Sequence, residues 1–304
     1  MININKHIPS NPDKENWDII IIGAGMGGGV SGYELSKAGK KVLFIEDGMY
    51  LPDYFKETPV GDSIQSRKKR GQWPHKIKGE TSFGKVNSFL SIGNGIGGST
   101  NLYSAQLERM HPADFKPKKN YPDDHLSSLP DSWPIEYEEF KPFYRKAESL
   151  FKVSGTEDPV NLDKYSNLIN PPALTDSNRK LYDDLASYGV RPYRSHMAVD
   201  YSICKEGCAN EVCKHGGKGD TNTLCVEPAL EKYDAKILLN CHVLKIHSSK
   251  DNVKYVECKL NDQDLKIKAK VVILAAGAMF TPTILMKSKS DIWPNGLSNS
   301  SGLV

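Results

Sequence analysis

The sequence predicts an α/β fold built around a parallel sheet, and three observations carry this prediction. An apolar run at 19–22 leads into a glycine-rich turn, a helical pattern and a second apolar run at 42–45. Near the other end of the chain, the apolar run 271–274 is typical of a buried strand. Residues 235–247 and 252–268 alternate as antiparallel strands do. Because both ends supply sheet strands, we expect the middle of the chain to be an insertion into one nucleotide-type domain.

The glycine turn after the first strand has the features of a pyrophosphate cradle. Gly23 allows a tight turn, Gly25 lets the backbone approach phosphates, and Gly28 lets the helix pack closely on the strand. Free N–H groups at the helix start and the helix dipole attract an anion there. Glu46 lies about twenty residues further on, where an acid accepts hydrogen bonds from ribose hydroxyls. These elements together predict a dinucleotide site, and the alternative is a turn that only packs a helix.

Composition limits the classes of partner. The chain has 304 residues, 38% of them hydrophobic, and a formal net charge of +3. Such a small charge argues against nucleic acid as the main partner, because there is no broad basic excess to neutralise phosphates. The basic run 67–70 is local and is read as a solvated loop. No apolar stretch reaches the length of a membrane span and the N-terminus lacks a secretory pattern, so we expect a cytoplasmic location.

The middle of the chain contains further recognisable segments. Residues 50–80 have no clear periodicity and read as a long excursion, followed by a second glycine cluster at 93–98. Residues 136–150 have helical spacing of aromatic and charged side chains, and a second helix is expected at about 176–188. After the strand at 271–274, Thr281-Pro282-Thr283 can start a helix.

Four segments in this order resemble the glucose–methanol–choline (GMC) oxidoreductase family. They are the turn GAGMGGG with Glu46, the cluster GNGIGGST, the segment Ser132–Gly155, and AAGAMFTPTILMKS. The resemblance implies a Rossmann-like FAD-binding domain of three layers (ββα) with an inserted, partial substrate domain. It also implies FAD rather than NAD, and oxidation of the CH–OH group of an alcohol, polyol or sugar with hydride passing to flavin N5. An NAD-linked dehydrogenase would have the glycine turn without the later flavin motifs.

The resemblance also implies cofactor contacts beyond the first turn. The second glycine cluster would run along the flavin and pyrophosphate, where a planar ring pressed against backbone leaves no room for side chains. Ala276 and Gly277 would close around the diphosphate, and the backbone of Val243 would meet the adenine, although Val243 is equally well an ordinary strand residue. The residues of the second cluster expected at the cofactor are Gly93, Gly95, Gly97, Gly98, Ser99 and Asn101.

Two departures from the family pattern narrow the expected function. Tyr103 stands where many oxidases of the family carry Asn, which favours the dehydrogenase branch, with an electron-acceptor protein or quinone as the next carrier. The family's catalytic His lies beyond the position of Val304, and no residue of this sequence matches it. The chain is therefore expected to be the N-terminal portion of a GMC enzyme, and the alternative is a non-catalytic FAD-binding or partner-binding fragment of a split protein.

The sequence pattern and the resemblance together give four expected regions. A disordered lead-in covers 1–16, and the first part of the FAD-binding domain covers 17–116. An insertion that forms a partial substrate domain covers 117–200, and 201–304 contains a cysteine-rich loop and the second part of the FAD-binding domain. The C-terminal substrate and catalytic region of the family is expected to be absent.

Six cysteines in a chain without a secretory pattern favour thiols or a metal site over disulfides. Four of them, Cys204, Cys208, Cys213 and Cys225, are spaced C-x3-C-x4-C-x11-C, and thiolates at such spacings can hold zinc or an iron–sulfur cluster. The alternative is a compact loop that contains thiols and no metal. The remaining two, Cys241 and Cys258, fall in strand patterns and are expected in the core.

Overall fold

The computed structural model describes residues 2–51, 61–121, 130–161, 167–204, 211–213 and 215–299. These residues fall into two compact units. The first lies within Met1–Ser104, Cys208–Lys214 and Asp220–Val304, and the second within Ala105–Gly207 and His215–Gly219. The second unit therefore interrupts the first in sequence, as an insertion does. The insertion expected at 117–200 is shorter than this unit at both ends.

The described elements are as follows. The strands are β1 (Trp17–Ile22), β2 (Val42–Ile45), β3 (Ile77–Thr81), β4 (Gly84–Ser88), β5 (Lys236–Leu238), β6 (Cys241–Ser248), β7 (Val253–Leu260), β8 (Gln263–Ile267) and β9 (Ala269–Leu274). The α-helices are α1 (Met26–Lys37), α2 (Ile64–Lys69), α3 (Tyr137–Phe151), α4 (Asp176–Ser187), α5 (Glu227–Tyr233) and α6 (Gly277–Lys287). Short 3₁₀ helices lie at Ile4–His7, Gly98–Asn101, Pro112–Phe115 and Pro117–Asn120, and a π-helical turn lies at Asn222–Val226.

A four-stranded parallel sheet forms the centre of the first unit, in the order β5-β2-β1-β9. Ile19 pairs with Val42 on one side and with Val271 on the other, so the last strand of the sheet comes from the far end of the chain. Parallel strands covered on both faces are apolar throughout, which explains the run of four isoleucines in β1. The predicted parallel α/β sheet is confirmed.

The two faces of this sheet support different layers. Ile19 and Ile21 of β1 pack with α1 and α5, in a core that also holds Phe44 and Leu230. Ile20 and Ile22 point to the other face and pack with the antiparallel meander β6-β7-β8. Helices, parallel sheet and meander therefore make three layers, because alternate residues of a strand face opposite sides. The predicted Rossmann-like ββα architecture is confirmed.

Several local predictions differ from the structure. The lead-in expected to be disordered contains the 3₁₀ helix Ile4–His7, and Ile2 and Ile4 pack against the helix-side core. The helix expected to start near Thr281 begins at Gly277, which leaves Pro282 inside α6. The excursion at 50–80 contains α2, and its end enters the β3–β4 hairpin, whose side chains are mostly exposed and therefore leave no apolar alternation in the sequence.

The second unit contains α3 and α4, which confirms the two helices expected at 136–150 and 176–188. Its interior holds a charged pair: the guanidinium of Arg109 donates to both carboxylate oxygens of Glu148 over 2.5 and 2.7 Å. No helix in the described ranges is long and apolar enough to cross a membrane.

Candidate functional site

A cavity of about 560 Å³ lies in the first unit, beside the carboxyl ends of three parallel strands. Ile22 and Ile45, the last residues of β1 and β2, line it together with Ala275, which follows β9. Ligands of open α/β sheets bind in the crevice outside these strand ends, where loops from neighbouring strands separate. The cavity therefore lies where the topology of the sheet places a ligand.

Most of the residues that the sequence assigns to a cofactor line this cavity. They come from the first glycine turn, the end of β2, the second glycine cluster, β6 and the start of α6, five segments far apart in sequence. The lining residues among them are Gly23, Gly25, Glu46, Gly93, Gly95, Gly98, Ser99, Val243, Ala276 and Gly277.

The remaining three assigned residues, Gly28, Gly97 and Asn101, are not among the lining residues. A Cβ on Gly28 would lie 1.9 Å from the carbonyl oxygen of Gly23, so this glycine lets α1 pack against its own turn. Gly97 has φ +90°, and the Asn101 amide donates to the carbonyl of Ile96 over 2.7 Å. These residues shape the two glycine segments, and the structure gives no direct cavity contact for them.

The two glycine segments approach each other at the cavity. A Cβ on Gly98 would lie 2.9 Å from the Cα of Gly25, whereas a Cβ on Gly25 would have 3.8 Å to the nearest atom. The amide of Gly97 donates to the carbonyl of Ala24 over 2.9 Å and holds the segments together. Gly98 therefore has no room for a side chain where the two backbones meet, whereas a Cβ on Gly25 would make an ordinary contact.

The N-terminus of α1 opens into the cavity. Gly25 is its N-cap and supplies no side-chain hydrogen bond, and Gly25, Met26 and Gly27 all line the cavity. The first amides of a helix have no partner within the helix, and they carry the positive end of its dipole. This end of the cavity suits an anion such as a diphosphate.

Glu46 has a role that the sequence does not show. Its carboxylate accepts hydrogen bonds from the backbone amides of Ala24 at 2.8 Å and Gly48 at 2.9 Å, which ties the first glycine turn to the segment after β2. Burial raises the pKa of this carboxyl, while the amides of Ala24, Gly48 and Gly95 oppose the rise. A carboxylate has about four lone-pair sites, so a further donor such as a ribose hydroxyl can still bind.

Aromatic side chains form another part of the wall. The rings of Trp73 and Phe280 lie 4.3 Å apart, and both residues line the cavity. Tyr103 lines it as well, and burial with nearby Asp220 raises the pKa of its phenol, which is therefore neutral. Trp73 and Phe280 were missed at the sequence level, since isolated aromatic residues in a loop and at a helix start carry no pattern.

Charged side chains line the cavity beside Glu46. Asp47 follows β2, and its carboxylate lies 3.1 Å from Nδ1 of His242, the second residue of β6. Hydrogen bonding to Asp47 raises the pKa of His242, against the opposing effects of burial and of Lys287. Lys287 also lines the cavity. The sequence analysis missed Asp47 and His242, and the available indication was that they lie next to Glu46 and Val243.

The structure does not assemble the predicted cysteine site. Within the described ranges, no group of three or more His, Cys, Asp or Glu side chains is placed to hold a metal ion, and Cys208 lies outside those ranges. Cys204 and Cys213 are buried and fall in different units. Burial, with nearby Asp220 and Glu34, raises the pKa of Cys225 to about 12, which favours the thiol over the thiolate that binds metals. Cys241 and Cys258 are core thiols, as expected.

The sequence of this chain is similar to those of known oxidoreductases. The model of the family described as GMC oxidoreductase matches residues 178–290. The chain is 27% identical to 2-methyl-1,2-propanediol dehydrogenase from Mycolicibacterium austroafricanum over 95% of this chain and 54% of that protein. It is 24% identical to paromamine 6'-oxidase from Streptomyces fradiae over 96% and 53%, respectively.

Solved structures show the same fold. Pyridoxine 4-oxidase from Mesorbium loti superimposes with a TM-score of 0.58 at 20% identity, over 90% of this chain and 52% of that one. The chain thus spans about half the length of the curated relatives it matches.

Proposed function

We propose that this chain, which is similar to GMC oxidoreductases over residues 178–290, binds FAD in its cavity and serves the oxidation of an alcohol, polyol or sugar. The dehydrogenase and the oxidase to which the chain is similar support this proposal. We propose a dehydrogenase that passes electrons to a carrier protein or quinone, because Tyr103 stands where many oxidases of the family carry Asn.

The observation that carries the proposal is the convergence of two glycine segments on an uncapped helix N-terminus. The amides at the start of α1 would hold the diphosphate, and the backbone of Gly25 and Gly98 would let it approach. Val243 and Ala276, which both line the cavity, would contact the adenine and the diphosphate, respectively. The residues present therefore fit an FAD molecule.

Bound FAD supplies an acceptor for the hydride that leaves the CH–OH carbon, and the hydroxyl proton then needs a base. The described residues hold the cofactor rather than move this proton. Glu46 braces the glycine turn by accepting a hydrogen bond from the amide of Ala24. The rings of Trp73 and Phe280 form an apolar part of the cavity wall.

The first experiment tests FAD binding with two glycine substitutions. Gly25→Val places a branched side chain in the cavity beside Gly98, and we expect FAD affinity to fall at least a hundredfold, measured by quenching of flavin fluorescence. Gly79→Val is the matched control, since a Cβ there meets nothing within 4 Å and β3 is exposed. Equal flavin affinity in the wild type and Gly25→Val would refute the cradle.

An exposed apolar surface favours the second candidate, a fragment that binds a further polypeptide segment. Helix α6 is mostly apolar, yet only Ile284 of its residues is buried, and Met279 is 47% exposed. Val271 on the edge strand β9 is 51% exposed. A helix with so many apolar side chains is normally covered by another segment.

Anaerobic mixing with polyols separates the two candidates. Bleaching of the yellow flavin band by the 304-residue chain alone would support catalysis by this chain. Flavin that binds but is never bleached, and that becomes reducible when the second half of a GMC relative is added, would support the fragment.

A further inference from the structure

The segment 62–89 concentrates the positive charge of this chain. It holds seven Lys and Arg residues against two acidic residues, Asp62 and Glu80, so its formal charge is +5, whereas the whole chain has +3. Without this segment the chain has 33 basic and 35 acidic residues and is slightly acidic. None of the seven basic residues is among those that line the cavity. This charge therefore has no role in the site described above.

An arginine of α2 fastens that helix to the β3–β4 hairpin. Arg67 is buried, and it donates hydrogen bonds to the carbonyl oxygens of Trp73 over 2.9 Å and of Leu90 over 3.3 Å, which lie just before and just after the hairpin. Its Cζ lies 4.0 Å from the centre of the Phe89 ring. The basic run 67–70, read from the sequence as a solvated loop, is thus mostly helical, and α2 and the hairpin together form one surface, the basic hairpin surface.

The lysines of the basic hairpin surface form no ion pairs with described residues. Lys76, Lys78 and Lys85 are exposed along the hairpin. Lys78 lies opposite the neutral Asn87, and Lys85 lies opposite Glu80, the one carboxylate in the hairpin sequence. Glu80 is therefore the hairpin group that opposes binding of an anion. The lysines without an ion pair are Lys68, Lys69, Lys76, Lys78 and Lys85.

An apolar ring projects from the tip of the hairpin. Phe83 is fully exposed, and no other large hydrophobic residue in the described ranges is as exposed. The hydroxyl of Thr81 accepts from the amide of Phe83 over 3.2 Å and donates to the carbonyl of Gly84 over 3.1 Å, so hydrogen bonds fix the turn that presents the ring. Val86 is 41% exposed and Ile64 is 53% exposed on the same surface. Lysines and exposed apolar side chains are thus combined there.

We propose that the basic hairpin surface docks on an anionic phospholipid membrane, with its lysines at the headgroups and Phe83 inserted beside the acyl chains. Clusters of about four to eight basic residues are attracted to anionic lipids, and aromatic rings anchor proteins at the membrane interface. An acidic polypeptide would also attract the lysines, but it would offer the ring at the tip no apolar medium. The inference goes beyond the proposed function, because neither FAD nor an alcohol takes part in docking.

Flotation of the full chain with phospholipid vesicles measures the docking. The wild type should bind vesicles of phosphatidylcholine with phosphatidylserine and not vesicles of phosphatidylcholine alone, and high salt should weaken the binding. Each lysine contributes about fivefold in affinity, so Lys76→Gln, Lys78→Gln and Lys85→Gln combined should weaken binding about a hundredfold. Phe83→Ser should weaken it about tenfold, since the ring is no longer buried in lipid.

Matched controls lie elsewhere in the chain. Lys250→Gln, Lys254→Gln and Lys268→Gln combined remove the same charge from exposed lysines in and beside the strands of the meander. Tyr188→Ser removes an aromatic side chain that is 86% exposed and lies outside the basic hairpin surface. Both control proteins should bind the vesicles about as tightly as the wild type.

Two further substitutions are read as gains. Glu80→Gln removes the carboxylate of the hairpin and should strengthen binding about fivefold, a result that poor folding would not produce. Phe83→Trp adds a fluorophore at the tip, and phosphatidylcholine brominated on its acyl chains should quench this added fluorescence. Tyr188→Trp should show no added quenching.

The outcomes distinguish this inference from its alternatives. Equal binding of the wild type to both kinds of vesicle, or hairpin variants that bind as tightly as the wild type, would overturn it. Polyglutamate serves as the probe for an acidic polypeptide: if it binds through these lysines while the anionic vesicles do not, the surface serves an acidic protein and the lipid inference is wrong. If the wild type docks on the vesicles but does not bind FAD, the inference stands and the proposed function fails.

Discussion

Substitution of two adjacent glycines in α1 is expected to change stability in opposite directions. Gly28→Ala places a Cβ 1.9 Å from the carbonyl oxygen of Gly23 and 3.1 Å from Cγ2 of Ile21. Gly27→Ala places the same atom where nothing lies within 4 Å. The two variants therefore share the same chemistry and the same helix, and they differ in the space that the added methyl group meets.

The size of each effect follows from these contacts. The obstacle to Gly28→Ala is backbone, which cannot rotate away, so the overpacking costs about 3 kcal/mol of the free energy of unfolding. Replacing glycine by alanine in a helix stabilises the folded protein by up to about 1 kcal/mol, so the net loss in the free energy of unfolding is about 2 kcal/mol. Gly27→Ala makes only the favourable change and should gain about 0.5 kcal/mol.

Urea unfolding of the cofactor-free proteins, followed by far-ultraviolet circular dichroism, measures both changes. Flavin is left out so that an effect on binding does not enter the free energy of unfolding. The unfolding midpoints of the two variants are compared only if the free energy of unfolding falls with urea concentration at the same slope. A changed slope would report a different unfolded state. A Gly28→Ala protein as stable as Gly27→Ala would show that α1 does not pack against its own turn in this way.

Two further predictions concern charged pairs. Glu148→Gln removes the charge that compensates the buried guanidinium of Arg109, so we expect a loss of about 3 kcal/mol in the thermal or urea unfolding of the protein; a loss under 1 kcal/mol would contradict the pairing. The pair with Asp47 raises the pKa of His242 above its usual 6.5. The Asp47–His242 pair therefore contributes its full stabilisation below pH 6.5, and this stabilisation is lost as the pH rises through the pKa of His242 in the folded protein. The stability difference between wild type and Asp47→Asn should shrink on going from pH 6 to pH 9, and a constant difference would show that the pair does not titrate.

The parallel sheet and its glycine turn could be predicted because their signals are local. A run of isoleucines followed by glycines and a helical pattern specifies β1, its turn and α1 within about twenty residues. The helices α3 and α4 were equally predictable from their spacing. The β3–β4 hairpin was not, because its exposed strands bury nothing that would impose an apolar alternation.

The candidate site was only partly predictable for the same reason. The glycines and Glu46 belong to sequence patterns, whereas Asp47, Trp73, His242 and Phe280 reach the cavity from separate segments. Their types are common in loops and at the ends of strands and helices, so no pattern marks them. The cysteines had a pattern, but spacing along a chain does not fix where thiols lie in space, and the described ones are not brought together to hold a metal.

The sequence by itself determined the order of strands and helices, the parallel sheet and the presence of a glycine cradle, because each depends on neighbours along the chain. Only the tertiary structure decided that Gly98 meets Gly25, that Glu46 braces two backbone segments and that Asp47 meets His242. Those contacts join residues up to 195 positions apart. They depend on how β2 and β6 are placed in the folded unit, which no local pattern records.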